Sequence, residues 1–280
     1  MRQSVRRWLF SAGAAAAVGA LTAAGQGAAS AAPSGTVGSA APSQATKAYK
    51  PPSKALYYGE TGAAVKSVQR RLNQLHYYAG PNDGSYGYDL LEAAYAFREV
   101  QGLPMNDASG AEPITRAFER RLVHPKRPWV LIKHGAANRV EINLKIQVLV
   151  VYKANKPHLI LHISSGGGYY FCDPPPPKSD GQCGDAVTPD GNFHAVYMIH
   201  GGDKVPLGYM FNPVFFDPAA GDAMHGGDPD PWYAASHGCV RLPEDVWNWF
   251  WKQLTIGGKH PEPVYLRGVA PYQPSIVGAG

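Results

Sequence analysis

Hydrophobic residues in this 280-residue chain change their spacing once, near Ala137, and that change limits the possible fold more than any other feature. Before it, apolar residues recur every three or four positions. Val65, Val68, Leu72 and Leu75 share a helix face, and Leu91, Ala94, Tyr95 and Phe97 lie on or near one face of a second helix. After it, Val, Ile and Leu alternate or run together, as in "RVEINLKIQVLVVYKANKPHLILHISSGGG", which is the pattern of strands. The expected architecture is two domains. A small all-α domain of three helices spans 56–121, and a mostly β domain, sandwich-like or open-barrel with one main helix, spans 138–268. A linker at 122–137 joins them and a tail follows at 269–280.

Local signals refine both halves. Gly102 should stop the second helix, and Pro113 suits the first position of a third that carries Ile114, Ala117 and Phe118. In the β half, turn residues Ala154 to Pro157 predict a hairpin between two strands, and "GNFHAVYMIHGG", "LGYMFNPVFFDPAA", "DAMHGG" and "EPVYLRG" predict further strands. "PEDVWNWFWKQL" is the clear helix, with Pro243 at its start. Trp247, Phe250, Trp251 and Leu254 share one of its faces, which is expected to pack on the sheet.

The first 31 residues have the layout of a secretory signal peptide: Arg2, Arg6 and Arg7, an uncharged stretch from Trp8 to Ala24, and Ala29-Ser30-Ala31 as a cleavage site. The stretch is too rich in Ala, Gly and Ser for a membrane anchor. "RRWLF" resembles a twin-arginine signal, so Sec and Tat export both remain open. The expected location is the cell wall or the exterior. Residues 32–55, rich in Ala, Pro, Ser and Lys, predict a disordered spacer. Loss of the three leader arginines lowers the formal charge from +5 to +2, too little for a nucleic-acid binder.

An exported chain with three cysteines has an odd thiol. Cys172 and Cys183 flank the proline-rich "DPPPPKSDGQ" and are expected to pair. Cys239 is then left alone, inside "ASHGCVRLP". A thiol attacks as thiolate, so it needs a base or cation beside it. His225 in "MHGG" and His237 in "SHGC" are the candidates, and Gly226, Gly227 and Gly238 allow backbone N–H groups to approach a substrate. A nucleophile of this kind is expected to alkylate well below pH 8. Arg241 falls on the same side as Cys239 if the segment is a strand, where it could hold a carboxylate. The alternatives are an inert core cysteine and a metal site built with His194, His200, His225 or His237, although no H-x-x-x-H or C-x-x-C spacing supports a metal.

Two resemblances follow from these residues. "G-x-x-G-x-x-V-x-x-x-Q-x-x-L" from Gly59 to Leu72, with "DGSYG" and a Phe-containing helix ending in Gly-Leu, resembles the peptidoglycan-binding-1 module. Arg98 stands where that family usually has Gln, and Ser85-Tyr86 replaces its commoner pair of a small residue and Phe. "H-G" followed by "S-H-G-C-V-R", together with "TPDGNF" at Thr188 to Phe193, is similar to the L,D-transpeptidases that remodel peptidoglycan.

That second resemblance implies Cys239 as nucleophile, His225 as base oriented by the Gly226 carbonyl, and the amides of Gly238 and Cys239 as oxyanion hole. It implies that His237 and Ser236 shape the site, with Ser236 and Arg241 toward substrate. The implied donor is a peptidoglycan stem tetrapeptide, the acceptor an amine of a neighbouring stem, and carbapenems are expected inhibitors. No cofactor or metal is implied. An L,D-carboxypeptidase, with water as acceptor, and an inactive wall-binding protein are the competing readings.

Overall fold

The computed structural model describes residues 49–105, 111–173, 182–205, 207–227 and 231–272. The expected signal peptide, most of the spacer, the proline run and the last eight residues of the tail lie outside them. The last part of the spacer is described, and there Tyr49 packs on the helical core beneath the Arg71 guanidinium.

Helices α1 (Ala63–Gln74), α2 (Tyr88–Gln101) and α3 (Arg116–Val123) form the N-terminal module. Val65, Val68 and Leu72 bury the predicted stripe of α1, whereas α2 is buried almost all round and forms the centre of the module. Gly102 caps α2 at φ 66°, a left-handed conformation that costs glycine little. The third helix starts later than the sequence suggested. Ile114 bridges back to Leu56, and Thr115 caps α3 by accepting from the Phe118 N–H at 3.3 Å. Arg98, the departure noted above, is buried and stitches the module's loops together. It donates to the carbonyls of Pro104 at 2.7 Å and Pro113 at 2.6 Å, and pairs with Glu112 at 3.3 Å.

The β part holds two larger sheets. Strands β1 (Arg139–Asn143), β2 (Val148–Lys153), β3 (Lys156–His162), β6 (Gly191–His194) and β12 (Pro263–Arg267) form the first, in the order β3-β2-β1-β12-β6. The expected two strands before Gly166 are three. A turn at Leu144 to Gln147 separates β1 from β2, and Ala154 and Asn155, both at positive φ, make the tight turn to β3. The chain's last strand, β12, lies parallel to β1.

Strands β4 (Tyr170–Asp173) and β5 (Gln182–Asp185) form a separate hairpin, closed by a disulfide between Cys172 and Cys183. The second sheet contains β7 (Tyr197–Met198), β9 (Gly208–Asp217), β10 (Asp222–Gly226) and β11 (Val240–Leu242), with β8 (Asp203–Val205) paired to β9. Helix α4 (Glu244–Phe250) packs on β10, and Trp247, Phe250 and Leu254 enter the core while Trp251 is only partly buried.

Strand β2 explains why "QVLVVY" does not alternate. Leu149 and Val151 face the core between the sheets, while Val148, Val150 and Tyr152 pack with Ile160 into the helical module. A strand buried on both faces reads as a continuous apolar run. The first sheet is therefore a shared wall, with the helices on one side and the second sheet on the other.

Candidate functional site

Strands β10 and β11 are parallel neighbours, with Met224 opposite Val240 and His225 opposite Arg241. Parallel pairing needs a crossover, and the chain supplies it between Gly227 and Cys239. The crossover brings Cys239 back to the edge of β11, beside the strand that carries His225. Both residues line one cleft of about 840 Å³, together with Ser236, His237, Gly238 and Arg241.

His225 is 5% exposed, and its Nδ1 lies 2.9 Å from the Gly226 carbonyl oxygen. A carbonyl can only accept, so Nδ1 carries the hydrogen and Nε2 is the basic nitrogen. Burial, with the Arg241 charge adding to it, pushes the imidazole down to about 4, against the smaller opposing effect of the Gly226 bond. Cys239 Sγ lies 3.9 Å from Met210 Sδ and 3.9 Å from the Gly221 carbonyl oxygen. Burial, with the Asp222 charge adding to it, pushes its thiol up to about 11, only partly opposed by a backbone hydrogen bond from Ala223 and the Arg241 charge. Both shifts run against the low-pKa thiolate expected from the sequence: burial favours the neutral thiol against the opposing Arg241 charge, whereas for His225 burial and the Arg241 charge together favour the neutral imidazole.

The other singled-out residues take different places. Ser236 is 4% exposed and its hydroxyl is used within the turn, accepting from Gly238 N–H at 3.2 Å and donating to the Cys239 carbonyl at 2.5 Å. His237 packs edge-on against Phe171, with ring centroids 4.5 Å apart, and against Tyr169 at 5.8 Å. Arg241 reaches the Ser164 hydroxyl at 3.3 Å while lining the cleft. A Cβ on Gly238 would stand 2.5 Å from an Asp222 carboxylate oxygen, so a larger residue there would have to displace the Asp222 side chain from the cleft. Cys172 and Cys183 are bonded to each other, leaving Cys239 as the free cysteine. Among the described residues no group of three His, Cys, Asp or Glu side chains converges as a metal set.

Residues 137–266 match the L,D-transpeptidase catalytic domain family, YkuD, and residues 61–107 match a peptidoglycan-binding domain. The crystal structure of an L,D-transpeptidase from Xylanimonas cellulosilytica is 30% identical, with a TM-score of 0.65 over 78% of this chain and 100% of that one. The chain belongs to the L,D-transpeptidase family. An L,D-transpeptidase from Stackebrandtia nassauensis also matches, at 17% identity and a TM-score of 0.44 over 77% of this chain and 96% of that one. So does an L,D-transpeptidase solved in complex with imipenem, at 21% identity and a TM-score of 0.34 over 48% of this chain and 60% of that one. No curated protein matches the chain.

Two further residues beside Gly238, Asp222 and Thr188, had been given no site role from the sequence. Asp222 lines the cleft, and burial, with a smaller effect of Asp217, pushes its carboxyl up to about 6. Thr188 bonds the Gly238 carbonyl from below. Thr188 lay inside the quoted "TPDGNF" signature, so that motif was its available signal. Asp222 had none, since its place beside Gly238 depends on the crossover.

Proposed function

We propose that this protein is a cysteine-dependent L,D-transpeptidase that acts on peptidoglycan stem tetrapeptides through a thioester on Cys239 and forms 3→3 cross-links. The observation that carries the reading is the His225 tautomer. An imidazole held by Nδ1–H to the Gly226 carbonyl, in the cleft that also holds the free Cys239, is a neutral base ready to take a thiol proton.

In the proposed reaction Sγ attacks the carbonyl carbon of the third stem residue as its proton passes to His225 Nε2. The tetrahedral oxyanion is held by the backbone N–H of Cys239, joined by that of Gly238 when it turns from the Ser236 hydroxyl to the oxyanion. The C–N bond to the terminal D-alanine then breaks, and His225 returns the proton to the leaving amine. A side-chain amine of a second stem attacks the thioester and gives its proton to His225. The C–S bond breaks, and the thiol is restored. One amide is exchanged for another, so no oxidant or external energy source enters.

In this reading the chain is exported and the helical module holds it on peptidoglycan, which raises the local substrate concentration. Carbapenems would acylate Cys239, as the family resemblance implies.

The test is to incubate the mature protein with a disaccharide tetrapeptide and weigh the products, with Cys239→Ala as control. A dimer lacking one D-alanine, absent with the variant, supports the transpeptidase. Tripeptide alone, dependent on Cys239, supports the carboxypeptidase. No product and no carbapenem adduct from folded protein would leave the inactive wall-binding reading.

A further inference from the structure

The helical module and the catalytic sheet also meet through a polar contact. His162, at the end of β3, is 2% exposed and has a partner at each ring nitrogen. Its Nδ1 lies 2.9 Å from one carboxylate oxygen of Glu99 and 3.1 Å from the other, and its Nε2 lies 3.1 Å from the Pro231 carbonyl oxygen. Glu99 belongs to α2 of the helical module, and its side chain is 9% exposed. Pro231 belongs to the crossover between His225 and Cys239. The Tyr95 ring closes another side of the imidazole, edge-on with a centroid distance of 5.3 Å.

The acceptors around this ring fix its protons. The Pro231 carbonyl can only accept, so Nε2 must carry a hydrogen. Nδ1 then either carries a second hydrogen toward a Glu99 carboxylate, or accepts one from a protonated Glu99. Both arrangements hold the same number of protons and no net charge. Burial drives the Glu99 carboxyl well above the usual range, which favours the neutral form. In both, Nε2–H points at Pro231.

The crossover beyond Pro231 is tied to the chain that follows His162. Ser164 Oγ donates to the Tyr233 carbonyl at 2.7 Å and accepts from the Ala235 N–H at 3.1 Å. The Ser236 N–H donates to the Ser165 carbonyl at 2.9 Å. Trp232, next to Pro231, packs on the core of the helical module. The segment leading to Cys239 is thus laid along β3 and its continuation, and His162 holds its upstream end.

We propose that Glu99 and His162 are positioning residues: Glu99 of the helical module fixes the His162 ring so that its Nε2–H holds the Pro231 carbonyl and sets the segment that carries Cys239. The helical module is then a working part of the catalytic site as well as a tether, an inference that rests on Cys239 being the nucleophile.

The test uses the full chain and measures kcat and KM for D-alanine release by Glu99→Gln, Glu99→Met and His162→Phe, with cooperative melting as the check on folding. Glu99→Met and His162→Phe should lower kcat on the order of 10- to 100-fold, with KM changed by less than about threefold, because a displaced reacting group loses rate more than binding. Glu99→Gln should stay within about threefold of the parent, since its amide N–H can donate to a bare Nδ1. Folded Glu99→Met with the parent kcat, or equal losses in Glu99→Gln and Glu99→Met, would overturn the proposal.

If the larger substitutions do not fold, nitrogen-15 spectra of His162 in the unaltered protein decide. A protected Nε2–H supports the proposal, and an Nε2 without hydrogen sinks it. If the unaltered protein releases no D-alanine, the enzyme reading fails separately. Amide exchange at Ser236 to Val240 then answers the positioning question: faster in Glu99→Met than in the parent supports it, unchanged exchange rejects it.

Discussion

Thr188 and Gly238 are joined by a hydrogen bond of 2.5 Å from the threonine hydroxyl to the glycine carbonyl, and the same hydroxyl accepts from the Gly166 N–H at 2.8 Å. One buried oxygen therefore connects the end of β5's loop, the glycine segment after β3 and the residue before Cys239. Thr188→Val keeps the shape and removes both bonds. The expected result is a loss of about 1–3 kcal/mol of stability, from a buried N–H and a buried carbonyl left unpaired. Slower carbapenem adduct formation on Cys239 should accompany it. Denaturant melts and timed mass spectra measure the two effects.

The neutral state of His225 and Cys239 sets the pH dependence. With the imidazole pushed down to about 4 and the thiol up to about 11, the productive neutral pair persists between those values. The two limbs belong to the pair, since the groups share a cleft. The acylation rate should be nearly flat from about pH 5 to pH 9 and fall below about pH 4 as His225 charges. Iodoacetamide, which meets no positioned carbonyl site, should instead react faster as pH rises past 9. A half-maximal acylation rate near the ordinary histidine value of about 6.5 would contradict this.

Much of the fold was legible because its signals are local. The stripe of Val65, Val68 and Leu72, the left-handed stop at Gly102 and the turn at Ala154–Asn155 each depend on a few neighbouring residues. What escaped depends on distant pairing. Nothing near Val264 announces β1 as its parallel neighbour, and nothing in "QVLVVY" tells a wall between two layers from an ordinary core strand. The cleft divides in the same way. His225 and Cys239 stood out in the motif and the family resemblance implied the Gly226 contact, but the direction of the Cys239 shift is set by burial beside Met210 and Gly221, which no spacing encodes. Glu99 carried no signal of its own in the sequence, since its contact with His162 exists only where α2 meets β3.

The Cys172–Cys183 bond predicts the thiol count. Unreduced, denatured protein should titrate one thiol, at Cys239, and reduced protein three. With a sequence separation of 11, the chain-entropy estimate gives a stabilisation of ~3 kcal/mol. The double variant Cys172→Ser, Cys183→Ser should lose on that order in a urea melt. It should also loosen the packing of His237 on Phe171, whose strand the bond closes. A second free thiol in the unreduced protein would disprove the pairing.

Asp89, in the first turn of α2, and Asp245, in the first turn of α4, are neighbouring carboxyls where the helical module meets the catalytic domain. Burial, a hydrogen bond that protonation would allow between the two, and the nearby charges of Asp245 and Asp83 raise the Asp89 carboxyl to about 7. The unfolded value is about 3.9, so between those values the folded protein binds more protons than the unfolded chain. The contact's stabilisation is therefore complete below about pH 4 and is lost as pH rises through about 7. Asp89→Asn keeps a hydrogen-bond donor at every pH. It should match the parent near pH 4 and gain on it as pH rises, by roughly 1–2 kcal/mol at pH 8 after allowance for solvent screening. Loss of an acidic group from a helix's first turn subtracts about 0.3–1 kcal/mol from that gain. Melting temperatures of both proteins from pH 4 to pH 8 test this, and parallel curves would show that the two carboxyls do not share a proton.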